Sequence, residues 1–164
     1  MLTVVAAPDG ATVDDARRLL RVMASAAADA GAGSMHRDGD TGARTWAIFG
    51  ELAGGGDDEN ARCVEHDLLG RQAVRLAIDQ VVAVGGGRPV RALHQGAVME
   101  GSWGDEAEFA GSVDEYLARV AAAAGSDAAP RDGDVVLVAG GDGLAPSLLR
   151  HWRDEQSLDV VDGA

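Results

Sequence analysis

The chain has 164 residues, with 14 basic and 27 acidic side chains and a net charge of −13, a length that suits one domain rather than two. Every basic residue is arginine, because the sequence contains no lysine. The missing lysine excludes a P-loop and Schiff-base catalysis, since both need a lysine amine. The acidic excess disfavours nucleic acid and anionic membranes as partners, because cationic side chains supply most of the affinity for phosphates.

Cysteine content and hydropathy indicate the cellular compartment. Cys63 is the only cysteine, which excludes an internal disulfide and a multi-cysteine zinc site and fits a reducing cytosol. No apolar stretch approaches the roughly 20 residues that a membrane span needs. The first ten residues lack the pattern of a signal peptide. The sequence therefore predicts a cytoplasmic protein.

Strands and helices are predicted in alternation along the chain. Each predicted strand is a short apolar run that ends near glycine or proline, and each helix has apolar residues three or four positions apart. The predicted strands are 2–6, 45–49, 81–84, 107–110 and 134–139. The predicted helices begin near 12, 61, 89, 112 and 146 and end near 31, 77, 95, 124 and 153. Two of the helix starts, Thr12 with Asp15 and Ser112 with Glu115, have the spacing of a capping box.

One predicted helix carries an apolar face that can be assigned from spacing. The helix over 61–77 is expected to bury Ala61, Val64 and Leu68 together with the row Leu69, Ala73 and Leu76. The segment 31–43 has no periodicity and is interpreted as a solvated loop.

The alternation of strands and helices predicts the fold class. We expect an α/β, three-layer, Rossmann-like domain with a mostly parallel sheet of about five to six strands and helices on both faces. Residues 1–154 are predicted to form this single domain, and 155–164 to be a frayed tail. Ligands in such sheets bind at the carboxyl ends of the strands, which points to the loops 7–11, 50–60 and 140–143.

Glycine-rich turns follow two of the predicted strands. The sequence Gly140-Gly141-Asp142-Gly143 could cradle an anion with its backbone N–H groups, although Asp142 places a negative charge in that loop. At Gly85-Gly86-Gly87, Val90 stands where the dinucleotide fingerprint needs its third glycine, so a plain tight turn is favoured.

Acids and histidines give a second set of candidates. Glu51 directly follows a strand and could bind an ammonium group or a metal, whereas the acids at 57–59 are interpreted as charges near a helix N-terminus. His66 could face the same cleft, or it could simply be packed or exposed. The other three histidines lack metal-ligand spacing, so no metal site is predicted. A nucleophile elbow is likewise absent from the sequence.

Three segments together resemble the C-terminal domain of the Mur ligase family, most closely its D-alanyl-D-alanine-adding branch. They are Trp46–Leu52 with its continuation to His66-Asp67-Leu68-Leu69-Gly70, then Leu76–Gly85, and then Asp132–Gly140. The first is similar to the family's strand ending in Gly-Asp-Met, followed by a Glu-rich loop and a helix with a His and, four residues later, a Gly. The second is similar to the end of that helix and the family's third strand. The third is similar to the family's Pro-Gly-Asp-Val-Val-Leu-Val-Lys-Gly segment. The resemblance covers about 45–153.

The resemblance implies a role in bacterial cell-wall (peptidoglycan) biosynthesis. In that family ATP converts a peptide carboxylate into an acyl phosphate, which an incoming amine attacks. The phosphate-binding loop lies in a central domain, while the C-terminal domain closes the site and helps to position the nucleotide and the amino substrate. The resemblance thus implies a central ATPase domain as partner, in cis or in trans, with ATP and Mg belonging to the full-length ligase and no cofactor bound by this chain alone.

The chain alone is expected to hydrolyse no ATP, because it lacks the lysine-bearing loop. A phosphate-release assay on a clean preparation checks this expectation, and detectable ATPase activity would contradict it.

The resemblance and the strand-end rule together give a set of residues expected to face the substrate or nucleotide. They are Pro8, Asp9, Gly50, Glu51, His66, Gly140, Gly141 and Asp142. No residue is assigned a catalytic role or a metal.

Departures from the family pattern leave two alternatives open. Where the family has Lys-Gly-Ser-Arg, this chain has Ala139-Gly140-Gly141-Asp142, and of the family's Asp-x-Tyr-Asn-Ala-Asn-Pro stretch only Pro8 and Asp9 remain. These changes motivate the hypothesis of a degenerate, non-catalytic binding or regulatory module of the same fold. The glycine-rich strand ends leave a third hypothesis, a nucleotide-binding domain of unrelated function.

Overall fold

Strands and helices alternate along the whole chain in a computed structural model, which describes residues 1–29, 42–101 and 106–163. The strands are β1 Leu2–Ala6, β2 Thr45–Phe49, β3 Gln80–Val84, β4 Ala107–Ala110, β5 Val135–Ala139 and β6 Leu158–Asp162. The helices are α1 Val13–Asp29, α2 Glu59–Arg75, α3 Arg88–Glu100, α4 Val113–Ala122 and α5 Leu144–Glu155. Most of the loop predicted over 31–43 lies outside the described residues.

The six strands form one sheet in the order β4-β3-β2-β5-β1-β6, and all five pairings are parallel. Helices cover both faces: α1, α2 and α3 pack on one, and α4 and α5 on the other. The predicted α/β class with a three-layer, Rossmann-like arrangement is confirmed. Because every strand runs in the same direction, all the carboxyl ends, and the loops that follow them, lie at one edge of the sheet.

The central strands are buried on both faces, as expected for a parallel sheet covered by helices. All five residues of β2 and of β5 are buried. Alternate side chains serve opposite layers: Ala47 and Phe49 join the core under α1 to α3, while Trp46 and Ile48 join the core under α4 and α5. This period of two fixes the register of the sheet.

Both predicted capping boxes contribute to helix starts. At α1, Asp15 N donates to Thr12 Oγ1 (3.1 Å) and Thr12 N donates to Asp15 Oδ2 (2.9 Å), the reciprocal pair that the spacing predicts. At α4, Glu115 N donates to Ser112 Oγ (3.1 Å), but the Glu115 carboxylate accepts from Gly111 N instead of from Ser112 N.

The predicted apolar face of α2 is wrong in part. Val64 is 58% exposed and Leu68 47% exposed, and the residues that α2 buries are His66, Leu69, Gly70 and Ala73. The reason is the close crossing of α2 and α3. A Cβ on Gly70 would lie 2.1 Å from the Leu93 carbonyl oxygen, and a Cβ on Gly96 would lie 2.2 Å from the Asp67 carbonyl oxygen.

The same crossing explains why α3 is longer than predicted. The sequence suggests a helix that ends near Gln95, before Gly96, whereas α3 continues to Glu100. Gly96 is buried against the backbone of α2, so this glycine permits close helix packing and does not end the helix.

Residues 158–162 form a strand, so the prediction of a frayed tail over 155–164 is wrong for this segment. Helix α5 runs to Glu155, and β6 pairs with β1 in parallel from Leu2↔Leu158 to Ala6↔Asp162. Leu158 packs against one core cluster and Val161 against the other, which holds the strand at the sheet edge.

Candidate functional site

The loops at the carboxyl edge of the sheet enclose a cleft of about 810 Å³. Residues following each of β1 to β5 line it, among them Gly10, Glu51, Gly86, Ser112 and Asp142. The three loops that the sequence points to therefore meet in one place, together with the loops after β3 and β4. This is the position at which a parallel α/β sheet binds its ligands.

Only some of the predicted site residues line the cleft. Glu51, Gly140, Gly141 and Asp142 belong to its wall. Gly50 lies directly behind the wall, packed against Gly141.

Three other predicted residues lie elsewhere. Pro8 and Asp9 are exposed in the turn after β1 and are not among the residues that line the cleft. His66 is buried in α2, with 1% of its surface exposed, and is also not part of the lining.

The segment Gly50–Ala53 forms the floor of the cleft, and each of its four residues makes a backbone hydrogen bond to a different element. Gly50 N donates to Ala139 O (2.9 Å), Gly141 N to Glu51 O (2.9 Å), Leu52 N to His66 Nε2 (3.1 Å), and Ala53 N to Ala11 O (2.9 Å). The segment is thereby tied to β5, to the loop after β5, to α2 and to the loop before α1. Glu51 consequently projects from a backbone that is fixed on every side.

His66 holds this segment from below. Its Nδ1 lies 2.7 Å from Arg62 O, and its Nε2 accepts from Leu52 N, so the ring is neutral with its proton on Nδ1. Burial lowers the pKa of His66 from its ordinary value, because the charged ring would lose its hydration. The sequence predicted that His66 faces the cleft, whereas the structure buries it beneath the cleft, where it accepts a hydrogen bond from the backbone of Leu52.

Glycine is required where the loops after β2 and β5 pack backbone to backbone. A Cβ on Gly50 would lie 2.5 Å from Gly141 Cα, and one on Gly140 would lie 2.8 Å from Glu51 O. Gly140 and Gly141 also have φ of +76° and +72°, which other residues adopt at a cost. Since Gly141 N already donates to Glu51 O, this N–H is not free to bind an anion as the glycine-rich loop suggested.

The charged side chains of the cleft wall are three acids and one base, namely Glu51, Asp57, Asp142 and Arg62. Arg62 Nη2 donates to Glu51 Oε1 at 2.9 Å. The predicted candidates Glu51 and Asp142 are two of these acids, whereas Arg62 was not among the residues predicted from the sequence. One signal was available: Arg62 lies in the first turn of α2, where a cation is disfavoured by the helix dipole.

The wall does not fit Mg-ATP on its own. Within residues 1–29, 42–101 and 106–163, no group of three or more His, Cys, Asp or Glu side chains is arranged to hold a metal. Among the described residues that line the cleft, Arg62 is the one cation, and it is paired with Glu51. A triphosphate would meet a net negative surface there, so the geometry of this chain favours a cationic group over a phosphate.

Comparison with curated proteins shows similarity to ligases of the genus Mycobacterium. The chain is 39% identical, over 141 residues, to UDP-N-acetylmuramoyl-tripeptide–D-alanyl-D-alanine ligase of Mycobacterium leprae, a match that covers 84% of this chain and 25% of that protein. It is 47% identical, over 100 residues, to the ligases of the same name from Mycobacterium bovis and Mycobacterium tuberculosis, covering 58% of this chain and 19% of each. The chain is a homologue of part of the Mur ligases.

This Mur ligase homologue spans about a quarter of the length of its Mycobacterium leprae relative, consistent with one domain of such a ligase, the C-terminal one. No family model and no solved structure matches the chain. In the part of the chain that the structure describes, no helix is both long enough and apolar enough to cross a membrane.

Proposed function

We propose that this chain acts as the C-terminal domain of a D-alanyl-D-alanine-adding ligase of peptidoglycan synthesis in the cytoplasm. In this role it closes over the reaction site and positions the incoming amino substrate and the nucleotide. A central ATPase domain, in cis or in trans, supplies the binding of ATP and Mg, for which the cleft of this chain has no suitable side chains. The contribution of the chain is proximity and orientation.

The observation that carries the proposal is the rigid acidic wall of the cleft. Glu51 is held on the Gly50–Ala53 segment, and Asp57 and Asp142 add negative charge nearby. Such a wall attracts the ammonium group of an amino substrate and repels competing anions. The amine must lose a proton before it attacks an acyl phosphate, so the wall serves capture and orientation and not the chemical step itself.

A degenerate binding or regulatory module remains the second candidate. The observation in its favour is the loop after β5, where Ala139, Gly141 and Asp142 replace the family's lysine, serine and arginine. In this structure Gly141 fastens the neighbouring loop instead of holding a ligand.

Isothermal titration with D-alanyl-D-alanine separates the two candidates. The proposal predicts saturable binding that weakens about tenfold in Glu51→Gln, because a hydrogen bond to a charged group is lost. The matched control is Glu155→Gln, an exposed acid at the C-terminal end of α5 and away from the cleft, which should bind like the parent chain. Absence of binding at millimolar dipeptide would contradict the proposal and favour the module without a ligase role.

A further inference from the structure

The ion pair between Glu51 and Arg62 lies open in the cleft wall. The side chains are 43% and 31% exposed, and Nη2 of Arg62 lies 2.9 Å from Oε1 of Glu51. Ion pairs with this much contact to water contribute little to folding stability. What distinguishes this pair from the other exposed ion pairs of the chain is that both of its side chains line the cleft.

The position of Arg62 on its helix adds little to stability either. α2 begins at Glu59, so Arg62 lies in the first turn, where the positive end of the helix dipole disfavours a cation. Helix stability is thus not a reason for arginine at this position. Asp58 caps the helix N-terminus, where its carboxylate accepts from Asn60 N and Ala61 N, so the guanidinium of Arg62 carries the positive charge in this part of an otherwise acidic cleft.

Both charges are held by the backbone around them. A Cβ on Gly55 would lie 2.6 Å from Arg62 Cγ, so the absence of a side chain there leaves room for the stem of Arg62 to lie along the loop. Glu51 is fixed on the other side because its carbonyl accepts from Gly141 N, and Leu52 next to it donates to His66. Two opposite charges are consequently pre-positioned at the same point of the wall.

The pair leaves hydrogen-bonding groups available on both partners. The bond uses Nη2 of Arg62 and Oε1 of Glu51, whereas a guanidinium has five N–H groups and a carboxylate two oxygens. Oε2 of Glu51 points toward Gly87, where an added Cβ would lie 3.2 Å from it. Gly87 has no side chain to cover that oxygen.

We propose that the Glu51–Arg62 pair determines substrate specificity by binding the two charged ends of a small zwitterionic dipeptide. Arg62 takes the carboxylate of the dipeptide in the planar geometry that guanidinium favours, and Glu51 takes its ammonium group. A dipeptide separates its charged ends by at most about 7 Å, so it can bridge the outer edges of the pair without separating them. This inference rests on the proposed function and adds Arg62 to it.

The test compares D-alanyl-D-alanine with two derivatives that each lack one charge, its C-terminal amide and its N-acetyl form. Titration calorimetry of the parent chain should show about tenfold weaker binding for each derivative than for the dipeptide. In Arg62→Gln the ratio of the Kd of the amide to the Kd of the dipeptide should fall to about one, while the same ratio for the N-acetyl form should stay as in the parent. In Glu51→Gln the opposite loss should occur.

Two further variants make the test specific. Arg75→Gln is the matched control, because Arg75 lies on α2 like Arg62 and pairs with an acid, Glu100 of α3, at 2.7 Å, but is not part of the cleft lining. Both preferences should remain as in the parent. Arg62→Met keeps the apolar stem beside Gly55, and should lose the preference over the amide just as Arg62→Gln does.

The outcomes separate the two proposals. If Arg62→Gln and Arg62→Met keep the parent's preference for the dipeptide over its amide, Arg62 does not bind the carboxylate, and this inference is overturned while the proposed function stands. If the parent chain binds none of the three compounds, the proposed function fails, and this inference fails with it.

Discussion

His66 joins the cleft wall to α2 and is the residue whose role changed most between sequence and structure. The sequence suggested a side chain that faces a ligand, whereas both ring nitrogens are used inside the protein, by Leu52 N and Arg62 O. Replacing it with leucine leaves a buried backbone N–H without an acceptor. Such a loss costs about 1–3 kcal/mol.

The pH dependence of stability tests the state of His66. Because burial lowers its pKa in the folded chain below the ordinary 6.5, the unfolded chain takes up a proton first as the pH falls. The free energy of unfolding should therefore decrease from about pH 6.5 downward until the folded ring also titrates. Urea unfolding at pH 8, 7, 6 and 5 should show a shallower decrease in His66→Leu than in the parent.

The control for this prediction is Leu69→Ala, because Leu69 is a fully buried residue of the same helix that carries no titratable group. Leu69→Ala should lower the free energy of unfolding but keep the pH dependence of the parent. An identical pH dependence in the parent and in His66→Leu would show that His66 is not the buried neutral group described above.

Single residues of the site differ in how well the sequence predicts them. Glu51 was predictable because it directly follows a buried strand, and the carboxyl ends of parallel strands meet at one edge. Arg62 was not, since its pairing depends on how the glycine loop before α2 folds back over the helix. Pro8 and Asp9 were suggested by a residual likeness to a family motif, and they lie in an exposed turn outside the lining.

Among the elements, α2 and α3 show how glycine decides which helix face is buried. The sequence of α2 offers more than one apolar row, and spacing alone did not separate Leu69 and Ala73, which are buried, from Val64 and Leu68, which are exposed. The crossing at Gly70 and Gly96 selects the face with Leu69 and Ala73. The periodicity of α2 alone cannot show which face is buried, because that choice depends on how the next helix, α3, packs against α2.

Substitution at the crossing tests that explanation. Gly70→Ala should destabilise the chain by about 1–3 kcal/mol through overpacking against the backbone of α3, although alanine is otherwise preferred in helices by about 1 kcal/mol. Gly86→Ala is the control, since the nearest atom to its added Cβ would be Gly111 O at 3.7 Å, and it should change stability by less than about 0.5 kcal/mol. Equal urea midpoints for Gly70→Ala and the parent would contradict a tight crossing.

The sixth strand escaped prediction for a different reason. Leu158–Asp162 has only a few apolar residues between acids, as suits an edge strand, and its partner β1 lies at the opposite end of the sequence. The other five strands are apolar runs bounded by turn residues, which local patterning detects. Elements with strong local signals were therefore predicted, while the one defined by a long-range pairing was not.

For the whole molecule, alternation of strands and helices was enough to predict the parallel α/β architecture and the edge where the cleft lies. The charge of −13 with no lysine was informative as well, because it predicted an acidic cleft and excluded phosphate binding by a lysine loop. The fine arrangement of the wall could not be predicted, since it depends on hydrogen bonds that tie the Gly50–Ala53 segment to β5, to the loop after β5, to α2 and to the loop before α1.

An amide-shift map of the ¹⁵N-labelled chain titrated with D-alanyl-D-alanine tests the central claim most directly. If the dipeptide binds in the cleft, the largest amide shifts are expected in the Gly50–Ala53 segment, in Arg62, and in the turns 85–87 and 140–142. No shift is expected at Asp134 and His151, at the opposite end of the sheet. Shifts confined to that opposite end, or a spectrum that does not change at millimolar dipeptide, would contradict it.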